Sequence, residues 1–138
     1  MFKATEEIKR AFDARKLKYH IMDNGEVSAV EAGISGEKYS GLEVVFFSPD
    51  DDNDVAVRIM KICKVPSDRM AHMLVAVNKC NEKFRYVKLV IDKDRDVNLE
   101  YDMPLKNENV GDIAVEMLVR IMKMMEEIYP VLMKAMYA

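Results

Sequence analysis

The stretch from Ala71 to Leu105 constrains the fold more than any other. Met70, Met73, Leu74 and Val77 recur at helical spacing, and the pattern closes at Asn78, Lys79, Cys80 and Asn81. Phe84 to Asp92 and Val97 to Pro104 then alternate with period two on either side of an acidic turn, Asp92 to Asp96. A helix feeding two strands across a tight turn is an antiparallel hairpin that needs a helix to cover it, so the chain is committed to a mixed architecture.

The flanks extend that pattern. Thr5 to Lys16 reads as a helix with Thr5 as N-cap, Glu6 and Glu7 at the positive end of the dipole, and Ile8, Ala11 and Phe12 on one stripe. Asp23 to Glu26 is a turn, and Val27 to Ile34 a strand. A short segment, Tyr19 to Met22, either pairs with that strand or crosses over. Leu42 to Ser48 is almost continuously apolar, which places it centrally with both faces covered. Ser48 to Asp54 is a turn and Val55 to Val65 a further strand. Ser67 caps a second helix that runs to about Glu82. In the strand from Val97, polar Asn98, Glu100 and Asp102 mark a wet face. A last helix starts near Asn107 to Asn109 and reaches Tyr129, where Pro130 bends or ends it. The order α-β-β-β-α-β-β-α implies an α+β fold. It is a mostly antiparallel five-stranded sheet with helices packed against it, in a single domain over residues 1–138.

Composition narrows the function. A net charge of −3 argues against a general affinity for nucleic acid. The basic run Lys9, Arg10, Arg15, Lys16 and Lys18 is diluted by Glu6, Glu7 and Asp13 and reads as a solvated helix face. The first residues are charged almost at once, so no signal peptide is expected. No window holds the ~20 apolar residues of a membrane span. Two cysteines, Cys63 and Cys80, in no spaced motif suit a reducing compartment, and the expected location is cytoplasmic.

Candidate chemistry fails position by position. A calcium loop of the EF-hand type needs Gly at its sixth position and Glu at its twelfth. Counting from Asp50 gives Val55 and Lys61, and from Asp92 gives Val97 and Met103. His20, His72, Cys63 and Cys80 lack zinc spacing. The glycines form neither phosphate-loop motif, and no nucleophile sits in a recognisable elbow. Glu31, Glu37 and Glu43 are left as carboxylates that the fold could bring together. The expectation is no enzyme, no cofactor and no metal.

The last helix stands out. Val110, Ile113, Met117, Ile121, Met124 and Ile128 form one stripe on a helical wheel, and Leu118, Met122, Met125, Tyr129, Met133 and Met136 form a second about a quarter-turn away. One sheet face needs an apolar arc of only ~100°, and this one is nearly twice as wide. Methionine is flexible and polarizable, suited to adaptable contacts. The second stripe is therefore either covered by the other helices or is a dimer or partner surface.

The run Asn78 to Tyr86, with two asparagines closing a helix before Phe84, followed by Lys88 to Asp92 and Val97 to Leu105, resembles the YbjN family of small bacterial proteins. The resemblance implies a fold similar to type III secretion chaperones, often dimeric, in proteins described as sensory-transduction regulators with no catalytic site to carry over. It places Asn78 and Asn81 at a helix end, as side-chain caps. Arg95 departs from the family pattern, since an Asp-Gly type turn is more usual there.

Together these readings predict a non-enzymatic regulatory or chaperone-like protein-binding module. It is expected as a homodimer with an unknown protein partner, using Leu118, Met122, Met125, Tyr129, Met133 and Met136. It is expected to bind neither nucleic acid nor membrane. The alternative is a small-ligand sensor or weak enzyme with a pocket between sheet and helices, lined by Tyr39, His72 or Tyr101.

Overall fold

The computed structural model describes residues 1–49, 54–104 and 109–137. Helix α1 (Lys3–Ala14) leads into four strands, β1 (His20–Asp23), β2 (Ser28–Ile34), β3 (Leu42–Ser48) and β4 (Val55–Lys64). A short turn of 3-10 helix, Ser67–Arg69, opens α2 (Met70–Lys83); β5 (Lys88–Ile91), β6 (Asp96–Met103) and α3 (Val110–Tyr137) follow. The sheet has six strands in the order β1-β2-β3-β4-β6-β5, and every described pairing is antiparallel. The expected five-stranded sheet is corrected by β1. The Tyr19 to Met22 segment does pair, as a four-residue edge strand too short to show its own alternation.

The helices cover one face. Val30, Phe46 and Val57 stand side by side in register and are fully buried. Phe12 of α1 meets Phe46 edge-on at 5.6 Å. Burying aromatic side chains of this size stabilises the fold by about 1.5–3 kcal/mol each. The opposite face carries the row His20, Glu31, Val45, Arg58, Glu100 and Lys88, all at least partly exposed. Leu42 to Ser48 is therefore covered on one face rather than two: Val44 and Phe46 are buried, while Val45 and Phe47 are half-buried.

Several local expectations are corrected. Thr5 does not cap α1, which begins at Lys3; its hydroxyl lies 2.7 Å from that of Ser28, tying the helix to β2. Ser67 makes no capping bond either. Strand β4 is broken by a bulge between Ile59 and Cys63, where Lys61 adopts φ 55° and donates its main-chain N–H to Asn98 Oδ1 at 2.8 Å. Asn98 is thus buried rather than on a wet face. Its amide nitrogen donates to Asp92 at 3.0 Å, linking the bulge to the β5–β6 turn. In that turn Arg95 takes the left-handed position (φ 65°) that glycine usually fills. The Asp92 carboxylate accepts the main-chain N–H groups of Asp94 and Asp96 and holds the turn in shape.

Helix α3 runs unbroken through Pro130. The proline cannot donate to the carbonyl one turn earlier, but Leu132 and Ala135 beyond it are packed in the core and keep the last turns helical. Further back, the Glu126 carboxylate accepts the main-chain N–H groups of Glu37 (2.7 Å) and Lys38 (3.2 Å), and Tyr39 donates its hydroxyl to the Met122 carbonyl at 3.1 Å. Any side chain at Gly36 would collide with Glu126, so glycine there lets the β2–β3 loop dock on α3.

Candidate functional site

Both α1 and α2 pack along α3, which explains the width of its apolar arc. Leu118 is 4% exposed and Met125 fully buried, so these two belong to the core of the single chain. Met122, Tyr129, Met133 and Met136 lie half-buried at the core margin, Tyr129 with its ring 6.4 Å from that of Tyr39. Two of the six residues expected at a partner surface therefore lie in the core and four at its margin.

Helix α2 carries a further exposed apolar pair. Met73, Ala76, Val77 and Cys80 face the core, while Leu74 and Val75 stand 56% and 57% exposed. The clue was present in the sequence: apolar residues go all the way round α2, whereas a helix on a sheet needs one apolar stripe. Between the outer side of α2 and the last turns of α3 lies an open groove of about 750 Å³. Val75, Ala76, Val131 and Ala135 give it apolar walls. Arg69, His72, Lys79 and Lys134 also line it. Arg69 donates its Nε–H to the Ala135 carbonyl at 2.9 Å, bracing one helix against the other.

Asn81 does not cap its helix, whose end is closed by the Phe84 N–H bonding to the Cys80 carbonyl. Its amide instead pairs with Leu89 of β5, accepting the main-chain N–H at 2.7 Å and donating to the carbonyl at 3.1 Å. It copies the pairing of a neighbouring strand. Asn78 is exposed.

The other candidate groups do not assemble. Tyr39 is buried under α3, His72 lines the groove, and Tyr101 borders a separate small cavity with Tyr86, Lys88 and Glu100. Tyr39, His72 and Tyr101, expected to line one ligand pocket, thus lie apart. Glu31 and Glu43 do come together: a hydrogen bond to Glu31, then burial, raise the Glu43 carboxyl above its ordinary value, with His20 opposing. Glu37 lies apart, its main chain held by Glu126. Burial, with Asp96 nearby, pushes the Cys63 thiol up to about 11, and burial also raises Cys80, so neither is an activated thiolate. Asp92 spends its carboxylate on its own turn, and Asp50 to Asn53 lie outside the described residues. Among the described residues, no three metal-ligating side chains cluster. In the basic run, Lys9 pairs with Asp13 at 3.1 Å and Arg15 with Asp112 at 2.8 Å. No described helix is long and apolar enough to cross a membrane.

Residues 4–132 match the model of a protein family, YbjN, described as "Putative bacterial sensory transduction regulator". No curated protein and no solved structure matches the chain at a significant level.

Proposed function

The chain belongs to the YbjN family, and we propose that it is a non-enzymatic regulatory module acting through protein–protein contacts as a homodimer. The observation that carries this reading is the pair of adjacent, half-exposed aliphatic side chains, Leu74 and Val75, on the outer side of α2. Single exposed apolar residues are ordinary, but two successive ones on a helix, one of them beside an apolar groove, are the kind of surface that marks a contact site. Successive residues on a helix diverge by about 100°. Val75 turns toward α3 and the groove, whereas Leu74 lies on the side from which Asn81 reaches β5. The self-contact is assigned to the Leu74 side, which leaves the groove to a different occupant.

A type III secretion chaperone-like fold and a cytoplasmic location belong to the same reading. Three helices on one face of an antiparallel sheet support the first, and two free thiols support the second. Light scattering of the purified chain is expected to give twice the chain mass, and Leu74→Glu to return it to one, with an unchanged circular dichroism spectrum. A wild-type chain that stays single at high concentration overturns the homodimer.

A further inference from the structure

The groove between α2 and the end of α3 is positively charged as well as apolar. Arg69, His72, Lys79 and Lys134 line it, and among the described residues no carboxylate does. The side chains of His72, Lys79 and Lys134 form no hydrogen bond or ion pair with any described residue. Glu127, one turn before Val131 on α3, is already taken by Lys83 at 2.6 Å. In a chain whose net charge is −3, a cation-rimmed apolar groove is a local exception that charge balance alone does not produce.

We propose that this groove binds an amphipathic α-helix of a partner protein, with acidic residues flanking the apolar stripe. The proposal rests on the protein-contact reading above and names the chemistry of the partner. Both walls of the groove are helices rather than strands, so no free strand edge is available there for an extended peptide to extend. Recognition there has to come from side chains, and a helix lying between two helices presents them at i, i+3 or i+4, and i+7. From Arg69 to Lys79 the α2 wall is about 15 Å long, which accommodates about three turns of such a ligand. The small lining residues Ala71, Ala76 and Ala135 leave room for larger aliphatic side chains of the partner. Carboxylates at its flanks meet Lys79 and Lys134 at the rim, where charge complementarity sets orientation and partner choice.

A second copy of this chain fits the groove less well. A two-fold interface sets each patch against itself, so Lys79 and Lys134 would face their own duplicates. Like charges juxtaposed across an interface cost several kcal/mol.

Selection from a display library of random helical peptides, with the immobilised full-length chain as bait, tests this directly. Enriched sequences are expected to combine an apolar i, i+3/i+4, i+7 stripe with flanking Glu or Asp. A labelled peptide of that type should bind at least tenfold more weakly to Lys79→Glu/Lys134→Glu, and its charge-inverted counterpart should prefer that variant. Val131→Glu should abolish binding, and thermal unfolding of each variant verifies that the fold survives. Enrichment without acidic residues, or affinity indifferent to the charge reversal, overturns the acidic helix. No enrichment at all overturns it too. If Val131→Glu instead converts a dimer to single chains, a second copy occupies the groove and the proposal fails. A dimer that persists in Val131→Glu and is lost in Leu74→Glu, with no peptide selected, sinks the acidic helix and leaves the protein-contact reading standing. A chain that neither self-associates nor selects any peptide sinks both.

Discussion

Against α1, helix α3 comes so close that only glycine fits at position 111: a Cβ there would stand 2.7 Å from the Glu7 carbonyl oxygen and 2.8 Å from Ala11 Cβ. Against α2, the same helix stands off and leaves the open groove walled by Val75, Val131 and Ala135. Small residues occur at both contacts and do opposite things. At Gly111 the missing side chain lets two backbones approach and is filled by the neighbour. At Ala71 the short side chain faces a gap that nothing in the described chain fills. One end of α3 is a closely packed joint and the other a more open one.

The comparison breaks most visibly at two adjacent residues near the open joint. Leu132 is fully buried and Val131 is 37% exposed. Leu132→Ala should cost about 2–5 kcal/mol in urea denaturation, while Val131→Ala should stay within about 0.5 kcal/mol. Equal losses would mean that the groove wall is as tightly packed as the core. Next in size is a small-to-large exchange at each joint. Gly111→Val has to push α1 away and should lose about 1–3 kcal/mol, whereas Ala71→Val, facing the groove, should lose at most about 0.5 kcal/mol. Similar thermal midpoints for the two variants would show the α1–α3 contact to be no closer than the α2–α3 one.

The smallest effect is expected in the β5–β6 turn, which serves as a control away from both joints. The Asp96 N–H, then the Asn98 amide, hold the Asp92 carboxyl below its ordinary value. A lowered folded-state pKa means that the contribution to stability is fully present above the unfolded value and is lost as pH falls through the folded one. Acidification from neutral toward about pH 2 should therefore loosen this turn, seen in the Asn98 side-chain amide resonances, and Asp92→Asn should flatten that dependence. Unchanged resonances across the range would remove Asp92 from the turn's stabilisation.

Legibility of the fold in the sequence follows a physical line. Elements with a long, regular apolar repeat were readable: the α2 to β6 run, the stripe of Ile8 and Phe12 on α1, and the family resemblance that the match over residues 4–132 supports. Elements set by contacts distant in sequence were not. β1 is four residues long and exists because β2 pairs with it. Asn98 looked solvated by alternation, yet the Lys61 bulge, invisible locally, draws it inside. The burial of Leu118 and Met125 went unread for the same reason. The methionine stripe on α3 has the composition of an interface, but α1 and α2 converge on it, and composition cannot say which of two apolar faces another helix will reach first. On α2 the surplus of apolar residues around the helix was in plain view, and weighing it against the single face the hairpin can cover would have found Leu74 and Val75.

The Asn81 side chain, finally, bears on how the protein avoids uncontrolled sheet growth in a crowded cell. Strand β5 ends the sheet, and an open edge of main-chain N–H and C=O groups is a template on which another chain can grow into a fibril. A primary amide already seated on both groups of Leu89 blocks the next rung of that ladder. Because Asn81 comes from the helix immediately preceding the strand, the block forms as soon as the two fold together, without waiting for the rest of the chain. One short polar side chain thus serves as insurance against aggregation at the point where the sheet is most open to it.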